Sequence, residues 1–143
     1  MHDDPSILDD DTAYRRVIHS EAFIEWDSNR QSWLPTNAAD RDPGGGSEIS
    51  VYIRSRLSST QGPADVAAAR PGCVAFAVNV GEARVLSFGV THRPDQDDGP
   101  LHHAHGDING NPAWAKQAYR AQRNELVRRM TLASGEISLH RST

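Results

Sequence analysis

Cys73-Val74-Ala75-Phe76-Ala77-Val78 is apolar at every position. A half-buried strand alternates apolar with polar residues, so a run without a polar face demands cover on both sides. The run is far too short to span a bilayer, which takes about 20 apolar residues. Pro71-Gly72 immediately before it stops any helix. It is expected to be a central, fully buried strand, and the rest of the chain must supply neighbours and cover.

Neighbouring strands are readable by their period. Glu48 to Arg54 places Ile49, Val51 and Ile53 on one face. Ala13 to Ile18 puts Tyr14 and Arg16 on one face, Arg15 and Val17 on the other. Ala83 to Thr91, with Val85, Leu86, Phe88 and Val90, is expected to be a strand after a turn at Gly81-Glu82. Ser20 to Trp26 fits a short helical turn or a strand, Asp27 to Arg30 a turn, and Gln31 to Thr36 an edge strand or loop because of Pro35. Pro43-Gly44-Gly45-Gly46 is expected to be the most flexible internal segment. No Gly-Lys-Ser/Thr follows it, so it is not a phosphate loop.

Two helices complete the pattern. Pro63 to Arg70 has proline in its first turn. A long helix is expected from Pro112 to about Ala133, capped by Asn111 and ended by Gly135. Its buried stripe would be Ala115, Tyr119, Gln122, Leu126 and Met130, with Lys116, Arg120 and Arg123 on another face. The expected fold is α+β: a single domain with a mostly antiparallel sheet of about five strands, packed by the long C-terminal helix and the short one. The domain would span residues 12–135. Residues 1–11, with Asp3, Asp4, Asp9, Asp10 and Asp11, are expected to be a disordered acidic tail, and 136–143 a flexible C-terminal tail.

Net charge is −4 over 143 residues, which argues against a general nucleic-acid binder. The charge is uneven. From Pro112 onward lie six of the fifteen Lys and Arg and two of the nineteen Asp and Glu, a local +4 against −8 for the remainder. A basic helix of this kind could meet an acidic protein or RNA, or simply face water. The single cysteine, Cys73, rules out an intrachain disulfide and a thiolate metal cluster. It is expected to be buried and inert. The sequence opens Met-His-Asp-Asp-Pro, without a basic start and an apolar run. A reducing, cytoplasmic location is therefore expected, with no membrane partner.

The densest chemistry lies in Leu101-His102-His103-Ala104-His105-Gly106-Asp107-Ile108-Asn109. Read as one strand, it carries His103, His105 and Asp107 on the same face. Neutral imidazoles and a carboxylate suit one divalent metal, whether zinc, iron or manganese, with Asp107 or His92 completing the pair of histidines. That is the only cofactor the sequence points to. A hydrolytic water on such a metal would make His105, His103 and Asp107 the catalytic candidates. The order His-x-His-x-Asp also occurs in metallo-β-lactamase-type hydrolases, but those carry a further histidine where Ile108 stands, and only His140 follows Asp107 here. The plain alternative is a buried, hydrogen-bonded His105 with His102 and His103 facing water.

Tyr14-Arg15-Arg16 permits a third reading. ADP-ribosyltransferase-like folds hold NAD with a basic residue on an early strand, followed by a Ser/Thr strand and a late glutamate. Arg15 or Arg16, Ser50 and Glu82 could take those parts, since a guanidinium suits a pyrophosphate. Otherwise the arginine pair sits at the surface, stacking on Trp26 or Trp33.

The order of short motifs resembles a family of small bacterial proteins, common in actinobacteria and cyanobacteria, without an agreed activity. The matching residues are Tyr14-Arg15-Arg16-Val17, Leu34-Pro35-Thr36-Asn37, Ile49-Ser50-Val51-Tyr52, Pro71-Gly72-Cys73-Val74, Gly89-Val90, and Gly99-Pro100 with Ala104-His105. The resemblance covers about residues 13–109. It departs where His102-His103 replaces an asparagine-proline and where Ala38-Ala39 replaces an aromatic. It supports His105 alone among the histidines. It implies an accessory protein from a multi-gene operon of the conflict or toxin–antitoxin kind. With no catalytic triad, nucleotide loop or cysteine cluster in the sequence, the first expectation is a small accessory protein that binds a partner, most simply another protein. Lys116, Arg120 and Arg123 would form one contact surface and the acidic N-terminus the other. The metal-dependent hydrolase and the NAD-using protein are the alternatives.

Overall fold

A computed structural model of the chain describes residues 2–40 and 47–141. In chain order the elements are β1 (Thr12–Ile18), β2 (Ile24–Asp27), β3 (Ser32–Pro35), β4 (Glu48–Ile53), α1 (Pro63–Ala68) and β5 (Cys73–Asn79). Then come α2 (Val80–Val85), β6 (Gly89–His92), β7 (His105–Asn109), α3 (Lys116–Arg128) and β8 (Thr131–Ser134). Short 3-10 turns lie at Asn37–Asp40, Arg54–Arg56 and Gly99–Ala104. Among the described residues the fold is α+β, built on a six-stranded antiparallel sheet in the order β6-β7-β4-β1-β5-β8. β2 and β3 form a separate hairpin. Pro43 to Gly46 lie outside the described residues.

Alternation sorts the sheet into two faces. Ala13, Val17, Ile49, Val51, Ile53, Val74, Phe76 and Val78 point to the larger core, which β2–β3 and α3 cover with Ile24, Trp33, Tyr119, Leu126 and nearby Met130. Tyr14, Tyr52 and Ala75 point the other way, to Val66 and Ala67 of α1 and to Leu101 and Ala104 of the last 3-10 turn. β5 is thus covered on both faces, as its apolar run demands. α1 starts at Pro63, and the Gly62 amide donates to Asp65 Oδ2 at 2.8 Å.

Several segments depart from the sequence expectation. Gly81-Glu82 is not a turn before a strand but part of α2, whose N-cap Asn79 accepts the Glu82 amide at 3.0 Å. Val80 and Ala83 are buried at helical spacing, while Val85 is 75% exposed; the strand begins only at Gly89. The long helix is shorter at both ends. Asn111 caps a preceding turn through the Ala113 amide, and α3 begins at Lys116. Beyond Arg128 the chain pairs with β5 as β8, because β5 offers an open edge there. Tyr119, Leu126 and Met130 are buried as expected, but Ala115 is exposed and Gln122 half-buried, with Val127 filling the stripe.

The third departure is the acidic N-terminus, which is docked. Ile7 is buried in the core. The Asp4 amide donates to the Val90 carbonyl at 2.8 Å, and Asp3 Oδ1 accepts the Val90 amide at 2.8 Å, so residues 3–4 satisfy the outer edge of β6. Arg84 donates to Asp3 at 3.1 Å and to Asp9 at 2.7 Å. At the other end, Ile137 and Leu139 pack on the core and Arg141 lies 4.3 Å from the Trp26 ring centroid. Residues 136–141 are therefore packed rather than a free tail.

Candidate functional site

The histidine stretch is not one strand. Gly99–Ala104 winds as a 3-10 turn because Leu101 and Ala104, three apart, both face the α1 side of the core. Only His105–Asn109 is extended. His103 therefore leaves the face on which His105 and Asp107 remain. His102 Nδ1 lies 2.9 Å from the Gly99 carbonyl, and His92 Nε2 donates to the His103 carbonyl at 2.6 Å.

His105 and Asp107 are both buried and both engaged. His105 Nδ1 lies 2.9 Å from the Arg93 carbonyl, which can only accept, so the ring proton sits on Nδ1. Asp107 takes Arg93 in a two-pronged grip, Nε to Oδ2 at 2.5 Å and Nη2 to Oδ1 at 3.0 Å. The hydrogen bond to Asp107 is the main reason that the Arg93 guanidinium holds its proton more tightly than usual. Both Asp107 oxygens are thus occupied inside the β6–β7 pair. Among the described residues no group of three or more His, Cys, Asp or Glu is close enough to hold a metal. The expected set of His103, His105 and Asp107 is not brought together. Gly106 has its own packing reason: a Cβ there would run into the Thr91 carbonyl oxygen and the Ile53 side chain.

A different site lies beside His105. β1 pairs with β5 along its whole length, Thr12↔Asn79 to Ile18↔Cys73. With β4 it pairs only at Ala13↔Ile53 and Tyr14↔Tyr52. Beyond that point the sheet splits, and a cavity of about 440 Å³ opens there. Arg15, Arg16, Arg70 and Cys73 line it from the β1–β5 side; Ser50, Tyr52, Asp98 and His105 line it from the β4–β7 side. Arg15 reaches across, donating from Nη1 to the Ser50 carbonyl at 2.8 Å and from Nη2 to the Ala39 carbonyl at 2.7 Å. Arg16 is held by the Val66 carbonyl (2.8 Å) and the Tyr52 hydroxyl (3.0 Å), its guanidinium carbon 5.0 Å from the Tyr52 ring centroid. Its aromatic partner is thus a tyrosine across the split, not Trp26 or Trp33. Glu82 does not line the cavity, so the NAD-binding set of Arg15 or Arg16, Ser50 and Glu82 is not assembled around it. Cys73 is half-buried at the cavity wall rather than sealed in the core.

Tyr52 donates its hydroxyl proton to Asp98 Oδ2 at 2.5 Å. Burial first, and then the hydrogen bond to Asp98, push the phenol up to about 12. An acid whose folded pKa lies above its unfolded value of about 10 stabilises the fold below that value and loses the contribution as pH climbs. Stability is therefore expected to fall between about pH 10 and 12. Tyrosinate absorbance should show a component near 12 that vanishes in Tyr52→Phe; an unchanged profile would contradict the Tyr52–Asp98 bond.

The basic helix face is in place. Lys116 and Arg120 are exposed, and Arg123 is half-buried with its guanidinium carbon 5.8 Å from the Tyr119 ring centroid. None of the three forms an ion pair with a described residue. The acidic N-terminus does not neutralise them, because Asp3 and Asp9 are taken by Arg84. Burial opposes the charge on Arg84, and the bonds to Asp9 and Asp3 outweigh it, leaving the guanidinium above its ordinary value. No helix among the described residues is long and apolar enough to cross a membrane.

Comparison with protein-family models, with curated proteins and with solved structures finds no match to this chain.

Proposed function

We propose that this chain works by binding another protein, and that the outer face of α3 is the contact surface. The carrying observation is that Lys116 and Arg120, one turn apart on α3, stay exposed and without a counter-ion among the described residues. Arg128 extends the exposed charge at the far end of the helix. The acidic N-terminus, folded onto Arg84 and β6, serves the fold and leaves the contact role to the helix. The partner this surface suits is an acidic protein surface, because exposed cations favour encounter with opposite charge and set its salt dependence. An accessory role in a conflict-type operon accords with such a binder.

The test is charge reversal on the folded protein. Lys116→Glu with Arg120→Glu is expected to abolish co-purification of the partner from cells that express the protein. The urea midpoint should barely move, since exposed changes of this kind stay within about 0.5 kcal/mol. Retention of the same partner by the reversed protein would overturn the proposal.

A further inference from the structure

We propose that the cavity in the split sheet is a binding site for a small oxyanion, a phosphate or carboxylate group, gripped by Arg16 with Arg70 at the rim. The site is independent of the α3 surface, none of whose residues lines it. Arg16 is the decisive group. Its guanidinium is half-buried and fixed at two points, Nε on the Val66 carbonyl and Nη2 on the Tyr52 hydroxyl. Neither partner carries charge, and no described carboxylate lies within ion-pair distance. Nη1 is bonded to no described residue. A positioned guanidinium with free N–H groups, partly shielded from water, is the side chain best suited to an oxyanion. Arg70 is exposed beside it, likewise without an ion pair to a described residue, and adds a second cation.

Asp95 and Asp98 at the cavity keep their charge, with Asp98 accepting the Tyr52 hydroxyl and Asp95 the Asp97 amide at 3.1 Å, but Arg15, Arg16 and Arg70 outnumber them along the same lining. The sheet order also sets direction. The three guanidiniums lie on the β1–β5 side, and the Asp98 carboxylate and the His105 imidazole on the β4–β7 side. With its proton on Nδ1, a neutral His105 keeps the Nε2 lone pair as an acceptor at the cavity. The ligand that fits carries its oxyanion toward Arg16 and a hydrogen-bond donor, such as a hydroxyl, toward His105.

The experiment is calorimetric titration of the full chain with inorganic phosphate and, separately, with malonate. The wild type is expected to bind at least one saturably, and the stronger arm tells phosphate from carboxylate. Arg16→Lys keeps the charge and loses the fork, and should weaken binding about tenfold or more, the scale of a hydrogen bond to a charged group. Arg70→Gln, at an exposed position, should weaken it by a smaller factor without disturbing the fold. Arg120→Gln should change nothing. Absence of saturable binding by the wild type would overturn the proposal. So would binding that survives both Arg16→Lys and Arg70→Gln, or that Arg120→Gln removes. The α3 proposal stands or falls separately, on partner capture.

Discussion

Replacing Arg93 by alanine is expected to destabilise the protein by about 3 kcal/mol, seen as a lower urea midpoint. Asp107 is 3% exposed, and both its oxygens are held by Arg93. Removing the cation leaves a carboxylate buried among β-strand backbone with no opposite charge. Loss of one partner of a buried pair typically costs about 3–5 kcal/mol. The lower end applies here because Arg93 is 54% exposed, so water can approach the vacated site. The double variant Arg93→Met with Asp107→Leu should recover most of the loss, since an apolar pair of similar volume needs no compensation. If Arg93→Ala leaves the midpoint unchanged, Asp107 is not locked as described. Added zinc or manganese should not restore Arg93→Ala, because His103 lies off the strand face and Asp107 has no second ligand of the expected set beyond His105.

Deleting residues 1–8 should cost at least as much, about 4 kcal/mol. Ile7 is 1% exposed in the main core, and burying such a side chain is worth about 2–3 kcal/mol. Two backbone groups of Val90 also lose their partners, at about 1 kcal/mol each. The ion pair lost with Asp3 adds little, because Asp3 is 37% exposed and Arg84 keeps its bond to Asp9. Ile7→Ala alone should cost about 3 kcal/mol. Amide exchange at Val90 should speed up in the deletion. A truly disordered leader would leave both melting and exchange unchanged, which is the outcome that would contradict the docking.

The N-terminus was illegible for a physical reason. Five aspartates around the short apolar pair Ile7-Leu8 look like a solvated tail, and their counter-charge, Arg84, lies some eighty positions away. β1, β4, β5 and α1 were legible because their alternation or proline start is local. Val85, Leu86, Phe88 and Val90 imitate a strand, yet Asn79 caps a helix there and turns Val85 outward. Met130 continues the helical stripe in sequence and in burial, so nothing local marks the switch to β8; the open edge of β5 decides it. His105 and Asp107 were legible as a pair on one face, but not their shared attachment to Arg93, whose carbonyl holds the one and whose guanidinium holds the other. The cavity was the least legible feature. It exists because β1 and β4 pair at two positions only, a property of register that neither strand shows alone.

Lys116 is the only lysine in the chain, which makes the central claim directly testable. Zero-length coupling of amines to carboxylates, performed in extract from expressing cells and read by mass spectrometry, reports which amine meets the partner. An α3 contact predicts a cross-link from Lys116 to an aspartate or glutamate of another protein, suppressed at high salt. A captured partner with Lys116 unreacted in the complex and still open to acetylation would contradict it, and the binding surface would have to lie elsewhere.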